Sequence, residues 1–177
     1  MARGKQGAPD PYAAALRMLA RRAYSVAELR RALERKFPED PGIREAIARL
    51  RQLGYLDDKK FAAHYASSLA RNRAFGRYRV RRELKAKLVD YRHIEPALRQ
   101  AYEETNEPEL LARVLEKKLR TVRLPVTASK LSSLCQSLLR HGFAADAIMK
   151  AVRARAELRP VAEAASLTEL ECEAGQG

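Results

Sequence analysis

Apolar residues recur every three or four positions along most of the chain, which is the spacing of one face of an α-helix. The strongest stripe runs from Leu131 to Leu139 and is stopped by Gly142. Another follows Ser25, whose spacing to Glu28 is that of a capping box, with the hydroxyl accepting from the third helical amide and the carboxylate reaching back. No segment alternates between apolar and polar residues for long enough to indicate a strand. The pattern therefore predicts an all-α fold.

The apolar stripes repeat at constant offsets. Leu29, Leu33, Ile43 and Ile47 return 51 residues later as Val80, Leu84, Ile94 and Leu98. The second set, with Val89, returns 54 residues later as Leu134, Leu138, Phe143, Ile148 and Val152. Constant offsets indicate tandem units that pack mainly on their neighbours. We expect three three-helix repeats in an elongated, curved modular structure, with Leu29, Leu33, Val80, Leu84, Leu134 and Leu138 buried. The predicted segments are a flexible 1–10, repeats at 11–56, 57–104 and 105–156, and an acidic, mobile tail at 157–177.

Composition narrows the functional class. Lysine and arginine total 35 against 22 acidic residues, a formal charge of +13. Residues 157–177 hold five acids and one base, so the rest of the chain carries +17 and should attract polyanions or acidic protein surfaces. The longest apolar runs are about five residues, too short for a membrane span, and the N-terminus does not resemble a secretory signal. Two isolated cysteines, Cys135 and Cys172, favour a reducing cytoplasm without disulfides.

Residues that could carry catalysis are few. The chain has no GxxxxGK[ST], GxGxxG or HExxH motif, and His64, His93 and His141 are scattered, so each is expected at a surface or helix end. The Asp57-Asp58 pair could suggest metal or acid–base chemistry, but a helix N-cap explains it more simply. Cys135 stands within an apolar stripe and is expected to be buried. We therefore expect no catalytic residues, metal or cofactor, and no enzymatic activity.

Residues 71–87 hold the strongest local charge. One acid, Glu83, accompanies eight bases: Arg71, Arg73, Arg77, Arg79, Arg81, Arg82, Lys85 and Lys87. Val80, Leu84 and Leu88 fall on one arc of a helix, and bases fan across the opposite side. Arginine forks bind phosphates and carboxylates with two hydrogen bonds, and Phe75 and Tyr78 could stack on bases or pack on a protein. This predicts a basic binding surface, the alternative being a merely solvated helix face.

Several motifs occur in an order typical of one family. The most specific is Gly54-Tyr55-Leu56-Asp57-Asp58-Lys59-Lys60-Phe61-Ala62, which is similar to G-[aromatic or Leu]-L-D-D-x-[basic]-[aromatic]-A. Arg71, Arg73, Gly76, Val80, Glu83 and Leu84 continue it, Ser25, Glu28, Leu29 and Leu33 match S-x-x-E-L-x-x-x-L, and residues 139–143 match R-x-G-[aromatic]. On these motifs, residues 12–155 resemble the RecX family of RecA regulators. Its structural motif residues would be Gly54, Leu56, Asp57, Asp58, Phe61 and Gly76.

The resemblance implies three tandem trihelical repeats and a non-enzymatic function. Such proteins bind in the groove of the RecA–DNA filament and mainly inhibit RecA ATP hydrolysis, strand exchange and co-protease activity. The implied partners are the RecA filament and, weakly or through it, single- or double-stranded DNA, for a monomeric bacterial cytoplasmic protein without a membrane partner. That the bases of residues 71–87 face the filament is a hypothesis from charge. A stand-alone basic helical DNA-binding module and a plain helical adaptor are the alternatives.

The chain departs from the family pattern at Leu88, where many relatives have glycine. A leucine side chain resists the left-handed conformation that closes many helices, so we expect this turn to be built differently. The equivalent position in the first repeat is Phe37, which is also not glycine.

Overall fold

The computed structural model describes residues 10–121 and 126–164, and its regular structure within these ranges is entirely helical. This confirms the all-α prediction, and three helices fall within each predicted repeat. The helices are α1 (Pro11–Arg21), α2 (Val26–Lys36), α3 (Gly42–Gln52), α4 (Asp58–Arg73), α5 (Arg77–Ala86), α6 (Tyr91–Glu104), α7 (Glu107–Leu119), α8 (Ala128–Arg140), α9 (Ala145–Arg153) and α10 (Arg159–Ala164). None of these helices combines the length and apolar content that crossing a membrane requires.

Side chains satisfy the amides at the first helix starts. Asp10 caps α1 by accepting from its second and third amides at 3.0 and 3.1 Å. Ser25 Oγ accepts from the Glu28 amide at 3.1 Å, which confirms half of the capping box. The other half is wrong, because the Glu28 carboxylate accepts from Arg22 at 2.9 and 3.0 Å and from Lys87 at 3.1 Å. Hydrogen bonds from cationic donors are stronger than one from a neutral amide.

The expectation that Leu88 would avoid a left-handed turn is wrong. Its φ is +56°, its amide donates to the Lys85 carbonyl, and the Val89 amide donates to the Leu84 carbonyl. These two bonds form the Schellman motif that also closes helices at Gly54 and Gly142. Leu84 and Val89, whose backbones are joined by one of these bonds, are both buried, and their packing stabilises the turn. Leu88 itself, which we expected on the buried stripe, is 37% exposed.

At Phe37, by contrast, the turn does differ. Phe37 has a φ of −131°, and the left-handed residue is Glu39, with a φ of +60°. The next residue, Pro38, has no backbone N–H, so it cannot donate the second hydrogen bond of a Schellman motif.

The predicted core positions are confirmed. Leu29, Leu33, Val80, Leu84 and Leu138 are fully buried, and Leu134 is 6% exposed. The described residues divide into two compact units, 10–65 with 83–97 and 66–82 with 98–121 and 126–164. We call these the first and second units. The second predicted repeat contributes to both, because the start of α4 and the end of α5 belong to the first unit and the rest of these helices to the second.

The beginning of the segment predicted to be a tail, residues 157–177, contains helix α10. Leu158 and Ala162, four residues apart, are buried, and the α10 segment that carries Ala162 packs against α8 and α9. The Arg159 guanidinium also donates to the Arg153 carbonyl at 3.1 Å. One short apolar spacing is too weak a pattern to reveal such a helix from sequence. Residues 165–177 of the predicted tail and 1–9 of the predicted N-terminal segment lie outside the described residues.

Candidate functional site

Two bases of the predicted surface stabilise the second unit. The Arg77 amide donates to Glu107 Oε1 at 2.8 Å, and its guanidinium Nε lies 3.5 Å from the same carboxylate. The Arg79 guanidinium lies 3.8 Å from the centre of the Phe75 ring and donates to the Arg140 carbonyl at 3.2 Å. Both side chains are half-buried. Their contacts are internal, which leaves them less available for a partner.

Lys87 has an equivalent internal role in the first unit. Its Nζ lies 3.1 Å from Glu28 and 6.0 Å from the centre of the Tyr65 ring. Burial raises the pKa of Glu28, but the hydrogen bonds from Arg22 and Lys87 outweigh it and hold that pKa below its usual value. The ion pair therefore links the start of α2 to the end of α5.

Four of the other five bases are exposed. Arg73 and Arg82 in the second unit and Lys85 in the first are exposed. Arg71 is exposed and pairs with Glu104, and Arg81 is half-buried, 5.6 Å from the centre of the Tyr78 ring. The surface available to a partner is therefore smaller than the sequence predicts, because Arg77, Arg79 and Lys87 make internal contacts.

The two aromatic residues beside this cluster also differ. Phe75 is half-buried between the Arg79 guanidinium and the His141 ring, whose centre is 5.8 Å away in an edge-on arrangement. Tyr78 is 59% exposed. Of the two rings, Tyr78 is therefore the one that a ligand could reach.

Gly76 allows two backbone segments of the second unit to touch. A Cβ at Gly76 would lie 2.4 Å from the carbonyl carbon and oxygen of Gly142, a distance that real Cβ atoms essentially never show. The Gly76 amide donates to the His141 carbonyl at 2.8 Å, and the Tyr78 amide donates to the Gly142 carbonyl at 3.0 Å. Glycine is required because a side chain would separate the start of α5 from the α8–α9 turn.

Residues 54–61 organise the α3–α4 turn of the first unit. Gly54 has a φ of +75°, so α3 ends in a left-handed turn that glycine adopts readily. Leu56 is buried in the core, and Phe61 stacks on Tyr65 with ring centres 5.5 Å apart. Asp57 is the predicted N-cap, because its carboxylate accepts from the Lys60 amide at 3.0 Å, and this bond lowers the pKa of Asp57.

Asp58 has a role that the sequence analysis missed. Its carboxylate accepts from the Val26 amide at 2.8 Å, at the start of α2. Glu107 does the same for the Arg77 amide at the start of α5. Both acids are the first residue of the helix that opens the following predicted repeat. The signal was therefore present in the sequence as an acid at the start of each such helix.

A second contact repeats in the same way. Ser25 Oγ donates to the Lys87 carbonyl at 2.5 Å in the first unit, and the Gly76 amide donates to the His141 carbonyl in the second. In each pair, the residue that precedes the second helix of one repeat contacts the end of the second helix of the next. We refer to these two groups of contacts as the repeat junctions.

His141 and Cys135 lie where the sequence predicts them, at a helix end and in the core. His141 is the C-cap of α8, and its pKa is lowered by burial and then by Lys118 and Arg79. Cys135 is buried as predicted, and burial raises its pKa. Within residues 10–121 and 126–164, no three metal-ligating side chains converge.

Comparison with known proteins gives consistent matches. The family model described as RecX, first three-helix domain, matches residues 12–50, and RecX, second three-helix domain, matches residues 57–98. Regulatory protein RecX of Chlorobaculum tepidum is 36% identical over 140 residues, which are 78% of this chain and 84% of that protein. The same-named protein of Deinococcus radiodurans is 32% identical over 153 residues, covering 85% of this chain and 70% of the relative.

The fold has a counterpart among solved structures. The crystal structure of RecX from Lactobacillus salivarius superposes with a TM-score of 0.67 over 81% of this chain and 93% of that one, at 24% sequence identity. This similarity supports the helical fold.

Proposed function

This chain belongs to the RecX family, and from that membership we propose that it regulates the RecA recombinase by binding the RecA–DNA filament. It acts mainly as an inhibitor of RecA ATP hydrolysis, strand exchange and co-protease activity. It works as a monomeric, non-enzymatic protein of the bacterial cytoplasm. The observation that carries this proposal is the match to relatives named regulatory protein RecX over most of their length.

The charge of the chain supports a filament as the target. DNA presents one phosphate for about every 1.7 Å of duplex axis, and basic side chains that neutralise phosphates release bound counterions. Within the second unit, Arg73 and Arg82 are the exposed cations of the predicted surface that form no ion pair with a described residue. They are therefore our choice for the DNA-facing residues.

The first test measures single-stranded-DNA-dependent ATP hydrolysis by the cognate RecA while this protein is titrated in. Binding to naked DNA is measured in the same salt. We expect inhibition well below one regulator per RecA subunit, with only weak affinity for naked DNA. Unchanged hydrolysis despite tight binding to naked DNA would contradict the proposal.

The DNA-facing residues are tested by charge reversal. Arg73→Glu combined with Arg82→Glu should weaken filament binding at least tenfold and reduce the slope of log affinity against log salt by about 1.4–1.8, because each phosphate contact contributes about 0.7–0.9. Arg30→Glu with Arg35→Glu, on exposed positions of α2, is the charge-matched control. Equal losses in both variants would mean that general charge, and not this surface, determines binding.

A second candidate function is that of a stand-alone DNA-binding module. The formal charge of +13 favours it, since electrostatic attraction supplies most non-specific DNA binding. This function predicts tight, steeply salt-dependent binding to naked DNA and no effect on RecA. A helical adaptor predicts neither.

A further inference from the structure

Four large apolar side chains of the first unit are exposed at two neighbouring points of the chain. Leu53 and Tyr55 flank the end of α3 and are 54% and 61% exposed. Leu88 and Tyr91 lie between α5 and α6 or at the start of α6, and are 37% and 83% exposed. Single exposed apolar residues are common, but a group of them indicates a surface for a partner.

A surface cavity of about 720 Å³ brings these two points together. Gly54 and Asp57 line it from the α3–α4 turn, and Asp90 and Arg92 line it from the α5–α6 turn. Each exposed tyrosine is therefore the immediate chain neighbour of lining residues. We call the cavity, together with the two exposed tyrosines that adjoin its lining residues in the chain, the tyrosine-rimmed recess of the first unit.

The carboxylates of the recess are already bound. Asp57 accepts from the Lys60 amide, and Asp58 accepts from the Val26 amide. Asp90 accepts from the amide of Arg92 at 3.0 Å and from its guanidinium at 2.8 Å. These acids cap helices, and their hydrogen bonds hold them in place.

Two cations that line the recess have no such partner. Arg51 and Lys59 are exposed, and neither side chain forms an ion pair with a described residue. The recess therefore offers two cationic groups beside apolar rings. A complementary ligand would bring a carboxylate together with apolar side chains.

We propose that the tyrosine-rimmed recess binds a partner protein, which places a carboxylate beside Arg51 and Lys59 and packs apolar side chains on the exposed tyrosines. Tyrosine and arginine are the residue types that concentrate binding energy at protein interfaces. The inference rests on the proposed function, since the RecA filament is the partner used to test it.

A nucleic acid fits the recess less well. A strand of phosphates would leave the exposed apolar side chains beside the cavity uncovered. The aliphatic side chains of Leu53 and Leu88 also offer no flat ring for a base. The recess thus differs in character from exposed arginines such as Arg73 and Arg82, and the two surfaces should respond differently to salt.

The test compares the double variant Tyr55→Ala with Tyr91→Ala against the wild-type chain. Both tyrosines are exposed, so the fold should be retained, as circular dichroism would verify. Binding to RecA filaments should weaken at least tenfold, as expected when two interface tyrosines are truncated. The salt slope and the affinity for naked single-stranded DNA should not change. Arg31→Ala with Glu34→Ala, exposed on α2 and neutral in total charge, is the control and should bind like wild type.

The outcomes separate the inference from the proposed function. Wild-type filament binding together with undiminished binding by the tyrosine variant would overturn the recess as the protein-binding surface. A matching loss of naked-DNA affinity would assign the recess to base stacking and also overturn it. Failure of the wild-type chain to bind filaments at all would refute the proposed function and, with it, the partner assigned here.

A charge variant tests the carboxylate contact. Arg51→Gln combined with Lys59→Gln leaves both tyrosines in place and removes both cations. We expect filament binding to weaken several-fold more than in Arg30→Gln with Arg35→Gln, which removes the same charge from α2. Equal effects of the two pairs would refute the placement of a partner carboxylate in the recess.

Discussion

Replacement of Gly76 by alanine should destabilise the second unit by about 2–4 kcal/mol. The added Cβ would lie 2.4 Å from the Gly142 carbonyl group and 2.6 Å from the Phe143 amide nitrogen. These are backbone atoms, which cannot rotate away as a flexible side chain would. The start of α5 must therefore move off the α8–α9 turn.

The magnitude follows from what this movement breaks. The hydrogen bonds from the Gly76 and Tyr78 amides would lengthen or be lost, at about 0.5–1.5 kcal/mol each. Forcing extra atoms into a packed site costs about 1–3 kcal/mol more. Alanine also restricts the unfolded chain, which offsets about 0.4–1 kcal/mol.

Urea unfolding followed by circular dichroism measures this loss. The control is Gly54→Ala, because Gly54 has a φ of +75° but no atom within 4 Å of the position that a Cβ would occupy. That variant should cost only about 1–2 kcal/mol, for the left-handed backbone alone. If Gly76→Ala destabilises the protein by less than about 1 kcal/mol, the close backbone contact does not have the importance we assign to it.

Three other predictions concern stability. Glu39→Gly should stabilise the protein by about 0.5–1 kcal/mol, because glycine adopts a φ of +60° without strain. Glu34→Gly, within α2, should destabilise the protein by a similar amount. If urea unfolding gives the same sign for both variants, the prediction is wrong. The lowered pKa of Glu28 contributes stability that is present above its unfolded pKa of about 4.3 and is lost as pH falls through the folded value. Glu28→Gln should therefore lose less stability than wild type between about pH 7 and pH 3 in thermal melts, and identical losses would argue against the ion pair. Tyr102→Phe removes a 2.6 Å hydrogen bond to the Phe75 carbonyl and should cost about 1–3 kcal/mol of unfolding free energy, in contrast to Tyr91→Phe at an exposed ring.

Local patterns predicted the parts of the fold that depend on neighbouring residues in sequence. The burial of Leu29 and Leu84 follows from helical spacing, and the end of α3 follows from Gly54. Helical spacing wrongly predicted that Leu88 would lie on the buried stripe. The buried side chains of Leu84 and Val89 instead stabilise a turn in which Leu88 has a left-handed backbone. Leu158 immediately precedes α10, a helix too short to show a period.

The candidate site was less predictable, because its geometry depends on contacts distant in sequence. Charge spacing identified the basic cluster of residues 71–87, but it could not reveal that Arg79 packs on Phe75. It also could not show that Asp58 binds the start of α2, since that contact spans 32 residues. A charge count treats every base alike, and only the folded structure separates those that maintain the fold from those that face solvent.

The repeat junctions have a consequence for how the chain folds during synthesis. The start of α2 receives its hydrogen-bond partners from Asp58 and Lys87, which are translated later. An emerging first repeat would therefore expose an amide and a hydroxyl whose partners do not yet exist, until the chain has been made as far as Lys87. Each repeat would supply the hydrogen-bond partners that the preceding repeat lacks. Repeats should therefore become fully ordered one after another from the N-terminus. If a ribosome stalls when only the first repeat has emerged, that repeat should be loosely ordered.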